Sequence, residues 1–284
     1  MGDLGYIYKS EDNFNIAYNN LSEYLADLKK ALTTDHPRYK ALGTKDDEDY
    51  IQLNTAIIQI ENEYYSSIRP KRIVGSGERP INALREKGIE YVEIRALDNN
   101  IYDPYGISDE TAIFLESFLF YCLLSEDQPC EQDEIKKIQS NWGNVVLFGR
   151  DKNLKLDFKD GSAFLRDQAA RIINEMANLE TRIGNQEYKA IFKRSLETQQ
   201  NKVNNSDKTP SGKLLEEITS SGMTWDEYTD QIAKNHKEEI LKLNREVGYL
   251  EKQARDSLEE YRRKESEEEK DFDSFLAEYL SSIE

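Results

Sequence analysis

Leu21, Leu25, Leu28 and Leu32 recur at the spacing of one helix face, which predicts an amphipathic helix over residues 20–32 with a buried leucine stripe. Residues 44–49 are dense in charge and read as an exposed loop. Between residues 51 and 68, Ile57, Ile58 and Ile60 fit a helix or a strand equally. Pro70, Gly75, Gly77, Pro80 and Gly88 break the next section into loops. A strand follows over residues 89–97. Its alternation turns Val92, Ile94 and Ala96 toward a core, and Tyr91, Glu93, Arg95 and Leu97 the other way.

From Ser108 onward the pattern is helical. Asp109 and Glu110 suit the positive end of a helix, and its body, residues 112–124, is apolar nearly all round, so it is expected deep in the fold. Ser162 is expected to cap a further helix, with Phe164, Leu165, Ala169, Ile172, Ile173, Met176 and Leu179 as a buried stripe and Gly184 as its stop. Residues 204–212 are polar, carry Pro210 and read as a mobile loop. Thr224 and Glu227 have capping-box spacing and open a long helix toward Val247. After Tyr249 the chain reads as a solvated, charge-dense helix. Phe272, Phe275, Leu276, Tyr279, Leu280 and Ile283 then restore an apolar stripe expected to dock back on the protein. No internal repeat or sustained heptad is present.

The 284 residues allow one large domain or two smaller ones. Against 55 acidic residues stand 38 basic ones, a formal charge of −17 that disfavours nucleic acid as a partner. Cys122 and Cys130 are too few for a disulfide framework, which favours a reducing, cytoplasmic setting; Cys122, inside the apolar run, is expected as a packed thiol. No apolar run approaches the roughly 20 residues that span a bilayer. His36 and His236 are far apart and read as surface residues, giving no support to zinc or to a Ser-His-Asp arrangement. The acidic run over residues 46–49 lacks the glycine and ligand positions of a calcium loop.

Two features carry candidate chemistry. Glu93 and Arg95 share one face of the strand, either as an ordinary surface ion pair or as groups acting on a charged substrate. Arg69, Lys71 and Arg72 form a basic cluster around Pro70, suited to nucleotide phosphates or, equally, to ion pairs with Glu61, Glu63 or Glu78. Gly75-Ser76-Gly77 offers backbone amides to an anion but lacks the longer pattern of a P-loop.

Several segments in register carry a resemblance. They are Asp3-Leu4-Gly5-Tyr6, Gln59-Ile60-Glu61-Asn62-Glu63, Ile68-Arg69-Pro70-Lys71-Arg72, Ser76-Gly77-Glu78, and Gly88-Ile89-Glu90-Tyr91-Val92-Glu93-Ile94-Arg95. Ala96-Leu97-Asp98, Pro104 and Gly106 continue it. Together they resemble the bacterial (type 1) glutamate–cysteine ligase family, matching its C-terminal half only. The resemblance implies an α+β, predominantly helical chain: the C-terminal part of a glutamine-synthetase-like ligase fold, contributing a minority of the sheet strands and leaving a sheet edge unprotected. It divides into a partial catalytic domain over residues 1–107 and a helical region over 108–284 packed on it.

The implied activity is ATP-dependent formation of γ-glutamylcysteine from glutamate and cysteine through γ-glutamyl phosphate, the first step of glutathione biosynthesis. The implied cofactor is Mg2+, with ATP as a substrate. By the same resemblance Glu93 is a magnesium ligand, Arg95 contacts the transferred phosphate, and Tyr6 and Tyr65 line a cysteine pocket. Apart from the resemblance, both tyrosines also fit a core aromatic with a bonded hydroxyl. Because most of the family's magnesium-binding glutamates lie in the other half, the chain is expected to be inactive alone and to need an N-terminal-half polypeptide. The alternative is a noncatalytic folded remnant or interaction module from a truncated or split gene.

Overall fold

The computed structural model describes residues 14–75, 77–243, 248–267 and 270–283. In chain order the elements are α1 (Leu21–Thr33), α2 (Pro37–Leu42), β1 (Lys45–Asp46), β2 (Asp49–Tyr50), β3 (Ile68–Lys71), α3 (Pro80–Lys87), β4 (Tyr91–Ile94), α4 (Asp109–Leu124) and α5 (Gln132–Phe148). There follow β5 (Lys155–Phe158), β6 (Gly161–Phe164), α6 (Leu165–Met176), α7 (Gln186–Asn204), α8 (Pro210–Ser221), α9 (Trp225–Lys242), α10 (Gly248–Glu265) and α11 (Phe272–Ser281). Among the described residues the strands pair only as three separate antiparallel two-stranded ribbons. Helices supply most of the rest, which is the predominantly helical α+β class expected.

The chain divides into two compact units. Residues 14–97 group with 248–267 and 270–283, and residues 98–243 form the other unit.

In the first unit, Asn20 caps α1 by accepting the Glu23 amide at 2.9 Å. The inner face buries Tyr24, Leu28, Ala31 and Leu32, while Leu21 and Leu25 lie half-buried at its margin. That face packs on α3, where Ile81 and Leu84 join Ile16 and Ile58 in one core. Burial of each large side chain contributes about 1.5–3 kcal/mol.

The expected loops over residues 70–88 prove to hold a helix. Pro80 stands at the first helical position of α3, where its missing N–H costs nothing, and Gly88 closes the helix at φ +73°. Pro70 lies within β3 itself. The charged stretch over residues 44–49 is a small hairpin, β1–β2, rather than a loop. Residues 51–68 are mostly irregular, with one 3-10 turn at Glu61–Glu63 before β3.

Helix α10 is solvated throughout, as its charge predicts. Helix α11 docks, as expected, with Leu276 buried and Ile283 against the core.

In the second unit, Ile173, Met176, Phe192 and Leu196 of α6 and α7 form the core, against which α4 lays Ile113, Phe114, Phe118 and Tyr121. Ser108 caps α4 by accepting the Thr111 amide at 3.2 Å. The depth expected for this helix is not observed. Only Ser117 is buried, and Phe120, Leu123 and Leu124 are 52, 77 and 56% exposed. Cys122 is exposed rather than packed.

Ser162 is not a cap: it lies in the β5–β6 hairpin and donates to Asp157 at 2.5 Å, so α6 starts at Leu165 and Phe164 stays exposed. Residues 204–212 are ordered into a 3-10 turn, Ser206–Lys208, and the start of α8. Thr224 and Glu227 form the predicted capping box of α9, whereas Val247 lies outside the described residues. His236 of α9 is half-buried, its Nε2 2.8 Å from the Ile101 carbonyl, and His36 is likewise half-buried at the start of α2. No helix among the described residues is long and apolar enough to cross a membrane.

Candidate active site

Strands β3 and β4 run antiparallel with Arg69 opposite Glu93 and Lys71 opposite Tyr91. Directly opposed residues of such a pair project from the same face, so the register places the basic cluster beside the acid. Beyond β4, the Arg95 amide donates to the Ser67 carbonyl at 2.7 Å, which keeps Arg95 in the same alternation as Glu93.

The Arg69 guanidinium is only 5% exposed and donates through Nε and Nη2 to one oxygen, Glu93 Oε2, at 3.1 and 2.9 Å. Its Nη1 donates to the Tyr64 carbonyl at 3.0 Å. Arg95 Nε stands 3.3 Å from the same Oε2. Glu93 Oε1 accepts no hydrogen bond among the described residues. The Arg69 hydrogen bonds, with added positive charge from Lys71 and Arg95, hold the Glu93 carboxyl below the usual carboxylate range. Its side chain is still 32% exposed, so the carboxylate is ionised, oriented and reachable.

Arg95 lies over the Tyr65 ring, 4.5 Å from its centroid, and Tyr65 is half-exposed. Arg95 Nη1 is screened from solvent and has no hydrogen-bond partner among the described residues. Such a group is costly unless something accepts from it, and an anionic oxygen is the natural acceptor.

Four of the sequence candidates therefore come together: Glu93, Arg95, Arg69 and Tyr65, with Lys71 adding charge from β3. Arg72 is turned elsewhere, donating to the Lys87 carbonyl at 3.0 Å and standing 3.7 Å from Glu90. Tyr6 and Ser76 lie outside the described residues. The Gly75 amide is engaged by Glu78 at 2.8 Å.

The contacts seen among the described residues take the acids weighed as partners for the basic cluster elsewhere. Glu61 accepts two hydrogen bonds at 3.0 Å from Arg79, a pair hidden in the core. Glu63 accepts the Gln59 amide, and Glu78 pairs with Lys87.

Behind the strands, the face expected to be core is only partly covered. Val92 is 41% exposed and lines, with Ile68, Pro70, Tyr18 and Tyr24, a cleft of about 210 Å³. A two-stranded ribbon with little packed behind it cannot bury that side fully.

Two relationships escaped the sequence: the Arg69–Glu93 bridge and the Arg79–Glu61 pair. Each joins residues about twenty positions apart, and only register and packing bring them together. The charged residues themselves were visible.

A magnesium ion fits the donors present. An ionised carboxylate with one oxygen open supplies a single hard ligand, and Mg2+ is commonly held by one or two carboxylates together with waters and substrate phosphates. Among the described residues there is no group of three or more His, Cys, Asp or Glu arranged to hold a metal, so the donors present amount to one open carboxylate oxygen rather than a complete cage.

Residues 1–145 match the family model of glutamate–cysteine ligase. Glutamate–cysteine ligases of Pseudomonas entomophila and Bordetella petrii are each 38% identical to the chain. They cover all of it, while it covers 54 and 55% of them. The backbone superposes on the crystal structure of the Francisella tularensis glutamate–cysteine ligase in complex with AMP at a TM-score of 0.87. The identity is 32%, over 96% of this chain and 55% of that one. A bifunctional glutathione synthetase of Pasteurella multocida shares the fold at 17% identity and a TM-score of 0.54, over 84% of this chain and 26% of its own. The chain thus spans about half the length of the curated relatives it matches. With the strand that bears Glu93 and Arg95 inside the matched region, the polypeptide belongs to the glutamate–cysteine ligase family and corresponds to its C-terminal half.

Proposed function

We propose that this chain supplies the Glu93–Arg95 wall of a glutamate–cysteine ligase site, completed by polypeptide equivalent to the rest of its relatives. The reaction is the ATP-dependent joining of the glutamate γ-carboxylate to the cysteine amine. An oxygen of the γ-carboxylate attacks the γ-phosphorus of ATP and ADP leaves. The cysteine nitrogen then attacks the acyl carbon of γ-glutamyl phosphate, the C–O bond to phosphate breaks, and the nitrogen gives up a proton. A cytoplasmic setting belongs to the same reading.

The observation that carries it is the asymmetric hold on Glu93: two Arg69 N–H groups donate to Oε2, the Arg95 guanidinium stands beside the same oxygen, and Oε1 is left open among the described residues. Bound there, Mg2+ supplies charge neutralisation between triphosphate and carboxylate. Glu93 remains ionised at neutral pH and is fixed in direction. Arg95 presents Nη1, which has no acceptor among the described residues, to the oxygens of the phosphoryl group in transfer.

Tyr65 supports the Arg95 guanidinium through its ring and lines the cysteine pocket, the role also proposed for Tyr6. Lys71 adds positive potential for nucleotide phosphates. Arg69 is committed to Glu93, so it acts on the nucleotide through that carboxylate, and Arg72 contributes least to phosphate binding.

The test is reconstitution with the segment of a relative that lies outside the matched part. Phosphate release that needs ATP, glutamate and cysteine is expected only from the combined polypeptides. Arg95→Ala is expected to lower kcat about 10²-fold or more with little change in KM for glutamate. Unchanged turnover in that variant removes Arg95 from the chemistry, and full turnover by the isolated chain removes the need for a second segment.

A further inference from the structure

Helix α4 presents an outward face that the described residues of its own unit leave exposed. Its inner face, with Phe114, Ser117, Phe118 and Tyr121 at helical spacing, packs on α6 and α7. The opposite face carries Phe120, Leu123 and Leu124, all more than half exposed. A surface helix ordinarily turns charged groups outward, and one apolar all round is ordinarily enclosed. Over residues 112–124 the only charged side chain is Glu116, which accepts a hydrogen bond from Tyr188 Oη at 2.5 Å. A contiguous apolar patch of this kind marks an interface.

We propose that this face of α4 seats the polypeptide segment equivalent to the part of the ligase relatives that this chain does not span, whether joined to it or separate. The fold agreement with the Francisella ligase extends over 96% of this chain but only 55% of that one, leaving a little under half of the relative to rest against the shared portion. Apolar burial scales with the area withdrawn from water, so an uncovered apolar helix face offers that segment a seat. The occupant is accordingly a folded segment presenting an apolar surface. The inference rests on the two-segment reading above but not on catalysis.

The test co-expresses the tagged 284-residue chain with the segment of the Francisella ligase outside the matched part, and reads capture and mass by size-exclusion chromatography with light scattering. Wild type, Glu93→Gln and Leu258→Asp, the last an exposed leucine of α10, are expected to bind one to one. Leu123→Asp is expected to bind at least about 10-fold more weakly, since an unpaired carboxylate is carried into the contact. Undiminished capture by Leu123→Asp, no capture by wild type, or a homodimer of the chain abolished by Leu123→Asp each overturns the proposal. Because Glu93→Gln removes the reaction while sparing this face, loss of chemistry and loss of docking are read separately.

Discussion

Arg69 on β3 holds Glu93 on β4 by two hydrogen bonds to a single carboxylate oxygen, while its third nitrogen anchors on the Tyr64 carbonyl. The basic residue is thereby a fixture of the strand pair, and its partner is the aimed group. Removing Arg69 leaves a half-buried carboxylate without its main donor. Arg69→Ala is expected to cost about 2–3 kcal/mol of stability. Urea unfolding of Arg69→Met, Glu93→Met and the double variant checks the coupling, because the double variant should cost clearly less than the two single changes together. Additive costs count against the bridge.

Glu93 also makes a contribution that depends on pH. Its folded pKa lies below the unfolded value, so the stabilisation is complete above the unfolded carboxylate range and lost as pH falls through the folded pKa. The difference in unfolding free energy between wild type and Glu93→Gln is expected to be flat near neutrality and to shrink below about pH 4.5. The measurement is a series of urea midpoints between neutral pH and pH 3. A difference that grows on acidification contradicts the assigned direction.

The Glu61–Arg79 pair lies inside the core, with the Arg79 guanidinium 4.2 Å from the Tyr279 ring centroid and donating to the Tyr279 carbonyl. Breaking it strands a buried carboxylate. Arg79→Ala is expected to cost about 3–5 kcal/mol and to raise amide exchange in α11 first. Arg79→Lys is expected to recover little, since an ammonium cannot reproduce the two-pronged contact. Full recovery by lysine counts against the geometry.

Gly212 sits in the first turn of α8, where an added Cβ falls 2.7 Å from the Asp207 Cα and carbonyl oxygen. Alanine in a helix ordinarily improves on glycine by about 1 kcal/mol. Here the sign is expected to reverse, with Gly212→Ala losing about 1–3 kcal/mol because backbone must move. Thermal melting decides it, and a raised Tm refutes the close approach.

Local signals were legible wherever the chain alone decides the outcome. The leucine periodicity located α1, the Thr224–Glu227 spacing located α9, and the closing aromatic stripe located α11. Pro80 misled because a proline breaks a helix in its interior but opens one at its first position. Ser162 misled because Gly161 makes a hairpin turn there, which leaves the serine to satisfy Asp157 instead of a helix. The apolar character of α4 was read correctly, but depth depends on what lies opposite, and that is a property of neighbours rather than of the helix. At the site, Glu93, Arg95, Tyr65 and Arg69 were all visible as residues. Which of them grips which was fixed by strand register, a relation between segments that no single segment encodes.

The contact between Arg79 and the Tyr279 carbonyl joins positions 200 residues apart. A nascent chain makes the early partner first and must synthesise all of residues 98–243 before the later one exists. The described part of the other unit, residues 98–243, is by contrast one continuous stretch of chain. In the discontinuous one Glu61 can already grip Arg79, but the third guanidinium nitrogen and the core edge wait for α11, so this unit is closed only by the last helix to be made.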